Sequence, residues 1–186
     1  MSFPARAEAM SILREYTQGD SLLKHAFAVE AAMRFYAAKR GGDVEAWGVA
    51  GLLHDFDYER FPSLDDHPFR GAEILRARGC DEELIQTILS HADHTGVPRT
   101  TEMQKTLFAV DELCGFVTAA TLVRPSKKID DLEVPSVKKK LKDRAFARNV
   151  SRDDITRGAE LIGVPLDEHI GNVIAAMKAA AADLGL

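Results

Sequence analysis

The sequence predicts an all-α fold, a single helical bundle, and three observations carry that expectation. Nearly every apolar cluster recurs at three and four residues, no run sustains strict alternation between hairpin turns, and Pro, Ser, Thr, Asp and Gly fall where periodic segments begin or end. At 186 residues and 20.4 kDa the chain suits one domain, since about 150 residues is the soft prior for one.

The elements follow in order. Pro4 opens a first helix that runs to about Thr17. A second follows Asp20 or Ser21 and stops at Gly41-Gly42, with Leu22, Ala26, Val29, Met33 and Tyr36 as its inward stripe. Asp43 caps "VEAWGVAGLLHDF", whose lack of a polar face places it in the middle of the core. After a loop from Phe56 to Asp66, Pro68 starts a helix closed by Gly79, and Asp81 caps the next, which leads to His91. Thr101 and Gln104 form a capping box for a long apolar helix that ends before Pro125. Ser136 and Ser151 are the expected caps of two later helices, and Pro165 begins the last.

Composition narrows the function. Hydrophobic residues at 46% and charged residues at 28% are ordinary globular usage, which excludes disorder and fibrous repeats. A net charge of -5 gives no general attraction to a nucleic-acid polymer or an anionic membrane, so a small partner is expected. Cys80 and Cys114 lack C-x-x-C spacing and read as buried thiols inside helices, which fits a reducing cytoplasm. Nothing in "MSFPARAEAM" has signal-peptide character, and nowhere do 18 apolar residues run together, so a soluble cytoplasmic protein is expected.

Chemistry concentrates in the histidines, five of which lie between His25 and His94, beside helix ends or inside apolar helices. Asp55 follows His54 directly, and Asp111 is flanked by Leu107, Phe108, Val110, Leu113 and Cys114. An isolated buried carboxylate costs several kcal/mol, so Asp111 must be neutralised, paired or bound to a metal. Taken singly, each imidazole is ordinarily a hydrogen-bonded core or surface group. Together, imidazole and carboxylate make a nitrogen and oxygen set suited to divalent first-row ions, and a carboxylate can bridge two of them.

The ordered set His25, His54-Asp55, His67, His91 and Asp111, with the stretch "LLHDFDYERFPSLDDHPFRGAEIL", resembles the HD-domain superfamily of metal-dependent phosphohydrolases. It is most similar to the branch in which a His-Pro, Gly-Ala segment and a further His follow the His-Asp pair. The likeness covers about residues 20–125, the core of a single 1–186 domain, and leaves about 126–186 as a helical extension. It implies an HD-type bundle in which His25, His54, Asp55 and Asp111 hold one metal, while Asp55 bridges to a second held by His67 and His91. The cofactor is then one or two divalent ions, among Mn, Mg, Fe, Ni, Co and Zn. Phe56-Asp57 stands where the HDIG motif has Ile-Gly, and no Gly-Tyr-Pro occurs, which argues against cleavage of cyclic dinucleotides.

Around this set, Asp55 and Asp57 are the catalytic candidates. Asp57 follows the His-Asp pair and is placed to orient a bound water or accept a proton, the plainer reading being a solvent-exposed loop acid. His94 reads as a residue behind the ligands or at the surface, and His169, among acids, as surface. Basic residues gather late, from Arg124, Lys127 and Lys128 to "VKKKLKDRAFAR". The bland account is a solvated helix face; the functional one is a phosphate clamp, with Arg124 and Lys127 as substrate-binding candidates. An unbroken helix carries Arg124 about 20 Å from Asp111, so that clamp works only for an elongated substrate or a chain that folds back after Pro125. The expected activity is metal-dependent hydrolysis of a small phosphoester or nucleotide. The alternatives are a mixed-valent di-iron oxygenase and a non-catalytic nucleotide-binding metal module.

Overall fold

The computed structural model describes residues 2–186. In chain order the helices are α1 (Arg6–Tyr16), α2 (Asp20–Arg40), α3 (Val44–Leu53), α4 (Phe69–Ala77), α5 (Glu82–Ser90), α6 (Glu102–Leu122), α7 (Val134–Leu141), α8 (Arg152–Leu161), α9 (Leu166–Ala179) and α10 (Ala181–Leu184). No strand occurs among the described residues, only a single bridge between Ser2 and Cys80. No helix among them is long and apolar enough to cross a membrane.

The apolar "VEAWGVAGLL" becomes the central helix because it has no face to give to water. Asp43 accepts hydrogen bonds from the Glu45 and Ala46 amides, and every residue of α3 from Trp47 to Leu53 is buried. Gly51 lets α3 meet α2 backbone to backbone: a Cβ there would lie 2.9 Å from the Val29 carbonyl oxygen. α2 ends where Gly41 turns left-handed at φ 73°, a conformation costly for residues with a Cβ. The Thr101–Gln104 capping box forms and starts α6. On its far side α6 takes α8, where a Cβ on Gly158 would come within 2.6 Å of Ala109 Cα. One hydrophobic cluster therefore runs from Ala9 to Leu184, drawing on the C-terminal helices as well as the early ones.

Several local expectations change. The first helix begins at Arg6 rather than Pro4. Ser136 lies inside α7, which starts at Val134 with Pro135 in its first turn, so proline geometry sets that start and no hydroxyl cap is used. The final helix breaks at Ala180 into α9 and α10. Cys80 is buried as expected but sits beyond α4 rather than within a helix. Leu22 is half-exposed, while Ala26, Val29, Met33 and Tyr36 do form the buried stripe.

His169 is a larger correction, because it is fully buried rather than at the surface. Its neighbours Asp167 and Glu168 are exposed, yet helical spacing puts it on the apolar face of α9 with Ile170, Val173 and Met177. Its Nε2 donates to the Ala109 carbonyl at 2.9 Å, so Nδ1 accepts from the Tyr36 hydroxyl at 2.6 Å. Burial lowers the His169 pKa and keeps this ring neutral.

A folded-state pKa below the unfolded one means that the unfolded chain takes up the proton first. His169 thus contributes its full stability above the ordinary histidine pKa of about 6.5, and less as pH falls through it. His169→Phe is expected to destabilise the protein at pH 7.5 by about 1–3 kcal/mol, because the buried Tyr36 hydroxyl, which still accepts from Asn172, loses the acceptor for its own hydrogen. The gap between variant and wild type should narrow at pH 5.5. Urea unfolding of both proteins at the two pH values checks this, and a gap that ignores pH refutes it.

Candidate metal centre

Two helix ends set the first imidazoles. A helix leaves its last carbonyls without amide partners, and α3 and α5 each end in a histidine that folds back onto them. His54 Nδ1 donates to the Gly51 carbonyl at 2.8 Å, and His91 Nδ1 to the Ile88 carbonyl at 2.6 Å. A carbonyl oxygen only accepts, so in both rings Nδ1 carries the hydrogen and the Nε2 lone pair points away. His67, from the loop before α4, is fixed by a side chain: its Nδ1 donates to Asp57 Oδ1 at 2.8 Å, while the Gly71 amide donates to Asp57 Oδ2 at 2.7 Å.

The three Nε2 atoms converge on carboxylates. His67 and His91 each approach Asp55 Oδ1 at 3.2 Å. His54 Nε2 lies 3.4 Å from Asp55 Oδ2 and 3.4 Å from Asp111 Oδ1. From α2, His25 Nε2 reaches Asp111 Oδ1 at 3.0 Å. The two oxygens of Asp55 thus face different histidines. Two groups of ligand atoms, one from His25, His54 and Asp55 and one from Asp55, His67 and His91, each gather within 4.8 Å.

This arrangement lacks positive charge. His54 Nε2 is shielded from solvent and has no hydrogen-bond partner. A neutral ring would set its lone pair against two anionic oxygens, which is repulsive unless a cation lies between. Burial alone would lower the His54 pKa, but Asp55 and Asp111 outweigh it and drive it well above the ordinary range. The same contest takes His67 up to about 9, with burial opposed by Asp55 and Asp57. Asp55 and Asp111 are held well below the usual carboxylate range: burial opposes this, and the facing histidines overcome it. Either protons or metal ions can supply the missing charge, and the donor set of imidazole nitrogens and carboxylate oxygens fits divalent first-row ions.

The centre opens into a cleft of about 750 Å³. His25, Asp55, His67, His91 and Asp111 reach its surface, and His94 joins them, donating from Nε2 to the His67 carbonyl at 2.8 Å. Asp93, Glu112 and Asp154 add acidic walls, and no Lys or Arg lines it. Burial first, and then Asp111, push Glu112 up to about 7. Its Oε2 accepts from the Ser151 amide at 3.0 Å, joining the C-terminal helices to the cleft wall.

Asp57 is not the solvent-exposed loop acid of the plainer expectation. Its side chain is 1% exposed, both oxygens are engaged, and it touches the centre only through His67, which makes it a positioning residue rather than a catalytic one. Arg124 and Lys127 are not brought to the cleft. α6 runs unbroken past Asp111 to Leu122, and Arg124 lines a different cavity. Sequence reasoning passed over Glu112, whose signal is an acid inside an apolar helix. Gly71, the glycine of the Gly-Ala segment, had no role assigned from sequence, yet a Cβ there would lie 2.9 Å from Asp57 Cγ.

Comparison with known proteins agrees with this geometry. Residues 22–114 match the family model of the HD domain. Ribonuclease Y of Lawsonia intracellularis is 34% identical over 89 residues, 46% of this chain and 16% of that protein. A tRNA (cytidine(56)-2'-O)-methyltransferase of Thermoplasma volcanium is 26% identical over 88 residues, 47% of this chain and 26% of that protein. The chain thus spans only about a quarter or less of these curated relatives. No solved structure matches it significantly.

Gly71→Ala is expected to push Asp57 aside and release His67, lowering manganese affinity about 10–100-fold, the usual effect of losing a partner behind a ligand. Asp57→Asn should act in the same direction without added bulk. Calorimetric titration with manganese, alongside circular dichroism to confirm an intact bundle, checks both; unchanged affinity in both variants refutes the role given to Asp57.

Proposed function

The chain belongs to the HD-domain family, and from that membership and the geometry of its centre we propose that it is a metal-dependent phosphohydrolase acting on a small phosphoester. One observation carries the reading: buried imidazoles with Nδ1 already bound turn Nε2 toward Asp55 and Asp111, and His54 Nε2 is left without a partner, a donor set that a divalent ion satisfies. His25, His54, Asp55 and Asp111 would hold a first ion, and Asp55, His67 and His91 would hold a second. When bound, divalent ions there supply an activated water at neutral pH and neutralise phosphoryl charge.

This chain's residues do the rest. Gly51, Ile88 and Asp57 keep the three rings in the tautomer that ligates. His94 anchors the His67 backbone, and Tyr58, packed edge-on against the His67 ring at 5.2 Å between centroids, forms part of the mouth with exposed Leu64. The cleft brings no Lys or Arg to its surface, Asp93 and Asp154 being ion-paired to Arg99 and Arg157 behind it, which leaves charge neutralisation to the metal centre. That favours a small substrate with a single phosphate ester over a polymer such as those named for the curated relatives.

Purified protein loaded with manganese, cobalt or iron is expected to hydrolyse p-nitrophenyl phosphate or members of a nucleoside monophosphate panel. Asp55→Ala and Asp111→Ala should abolish turnover, and Asp57→Asn should retain it at about 1–10%. Phosphate release and oxygen uptake are followed together. Absence of hydrolysis with every metal, or equal rates in Asp55→Ala, refutes the reading, and oxygen uptake without phosphate release replaces it with the oxygenase alternative.

A further inference from the structure

The basic cluster near Arg124 takes no part in the metal centre, and it faces a cavity of its own. This cavity, of about 430 Å³, lies between the end of α6 and α7, outside the segment that matches the family model. We infer that it is a second binding site, specific for a phosphomonoester group carrying an apolar substituent. The inference stands on this cavity alone and does not depend on what the metal centre does.

The charge pattern is the first argument. Arg124, Lys139 and Lys140 all line the cavity, and none of the three forms an ion pair among the described residues. In a chain of net charge -5, three cations gathered around one hollow, with Lys140 also resting on the Phe146 ring, call for an anion. Asp143 is the one carboxylate on the wall, and its Oδ1 accepts from the Ala145 amide. Three cations against one carboxylate leave two positive charges, which matches the dianion of a phosphomonoester near neutral pH.

The second argument is an unsatisfied donor. Arg124 Nε is shielded from solvent and has no hydrogen-bond partner. No acceptor among the described residues takes a hydrogen bond from any part of this guanidinium, so its terminal N–H groups are free to take an oxyanion in the cavity. Ser136 adds a hydroxyl on the same wall. The backbone holds Arg124 in place: directly after α6 the chain reverses, with the Lys127 amide donating to the Arg124 carbonyl at 3.2 Å and Lys127 itself left-handed at φ 52°. A non-glycine residue in that region is uncommon. The third argument is the lining. Ala120, Val123 and Leu132 give the hollow an apolar side, which inorganic phosphate cannot use and an aromatic or alkyl phosphate can.

The test uses the full-length chain in a chelating buffer, with phenyl phosphate and inorganic phosphate as probes, calorimetry for affinity and amide NMR shifts for location. Phenyl phosphate should bind wild type and Asp55→Ala equally, shift amides between residues 120 and 143, and bind more tightly than inorganic phosphate. Arg124→Gln and the double variant Lys139→Gln/Lys140→Gln should each weaken it about tenfold or more, while Lys128→Gln, off the cavity wall, should not. Thermal melts confirm that each variant is folded. Undiminished binding in both cavity variants overturns the inference. So do shifts confined to the metal cleft, an equal loss in Lys128→Gln, or no binding of either probe at millimolar concentration.

Discussion

The centre depends on where three imidazole hydrogens are held. His54 and His91 give theirs to carbonyls at the ends of α3 and α5, and His67 gives its own to a buried carboxylate. Once Nδ1 is committed, Nε2 has a lone pair and one direction, and all three directions lead to Asp55 or Asp111. The charge deficit, the depressed carboxylates and the ligating geometry follow from that commitment. The anchors are backbone groups of helices and a fully engaged acid, so the arrangement is built before any ion arrives.

The scaffold explains why the anchors stay in place. α3 must be buried because it has no polar face, and Gly51 lets it lie against the backbone of α2, which carries His25. α6 carries Asp111 between α2 on one side and α8 and α9 on the other, pinned at Ala109 by the Gly158 contact and the His169 hydrogen bond. Two carboxylates that would repel each other are thereby held near one point by elements whose stability comes from apolar packing elsewhere. The strain of like charges falls on the imidazoles between them, where a cation relieves it.

Much of this was legible in the sequence, for physical reasons that differ by residue. The apolar run after Asp43 could only be a central helix, and the Thr101–Gln104 box announced α6 because capping is local chemistry. The order of His25, His54-Asp55, His67, His91 and Asp111 showed which side chains to look for, but not which nitrogen of each ring is free, since that depends on carbonyls and a carboxylate met only after folding. Asp57 followed the His-Asp pair and therefore suggested catalysis, whereas its contacts, 10 and 14 residues away, make it a support for His67. His169 was masked by its acidic neighbours, because adjacency in sequence says little about facing in a helix. Arg124 was drawn toward the centre by chemistry, and α6's length prevented it.

The middle and the C-terminal end of α6 consequently sit in different electrostatic surroundings. Around Asp111 the cleft sets five carboxylates, two of them ion-paired to Arg99 and Arg157 behind the wall, against imidazoles, so its charge depends on whether protons or metal ions occupy the centre. Around Arg124 the balance is positive without any ion. Under the two proposals made above, one helix would join an anion site that needs metal ions to one that does not.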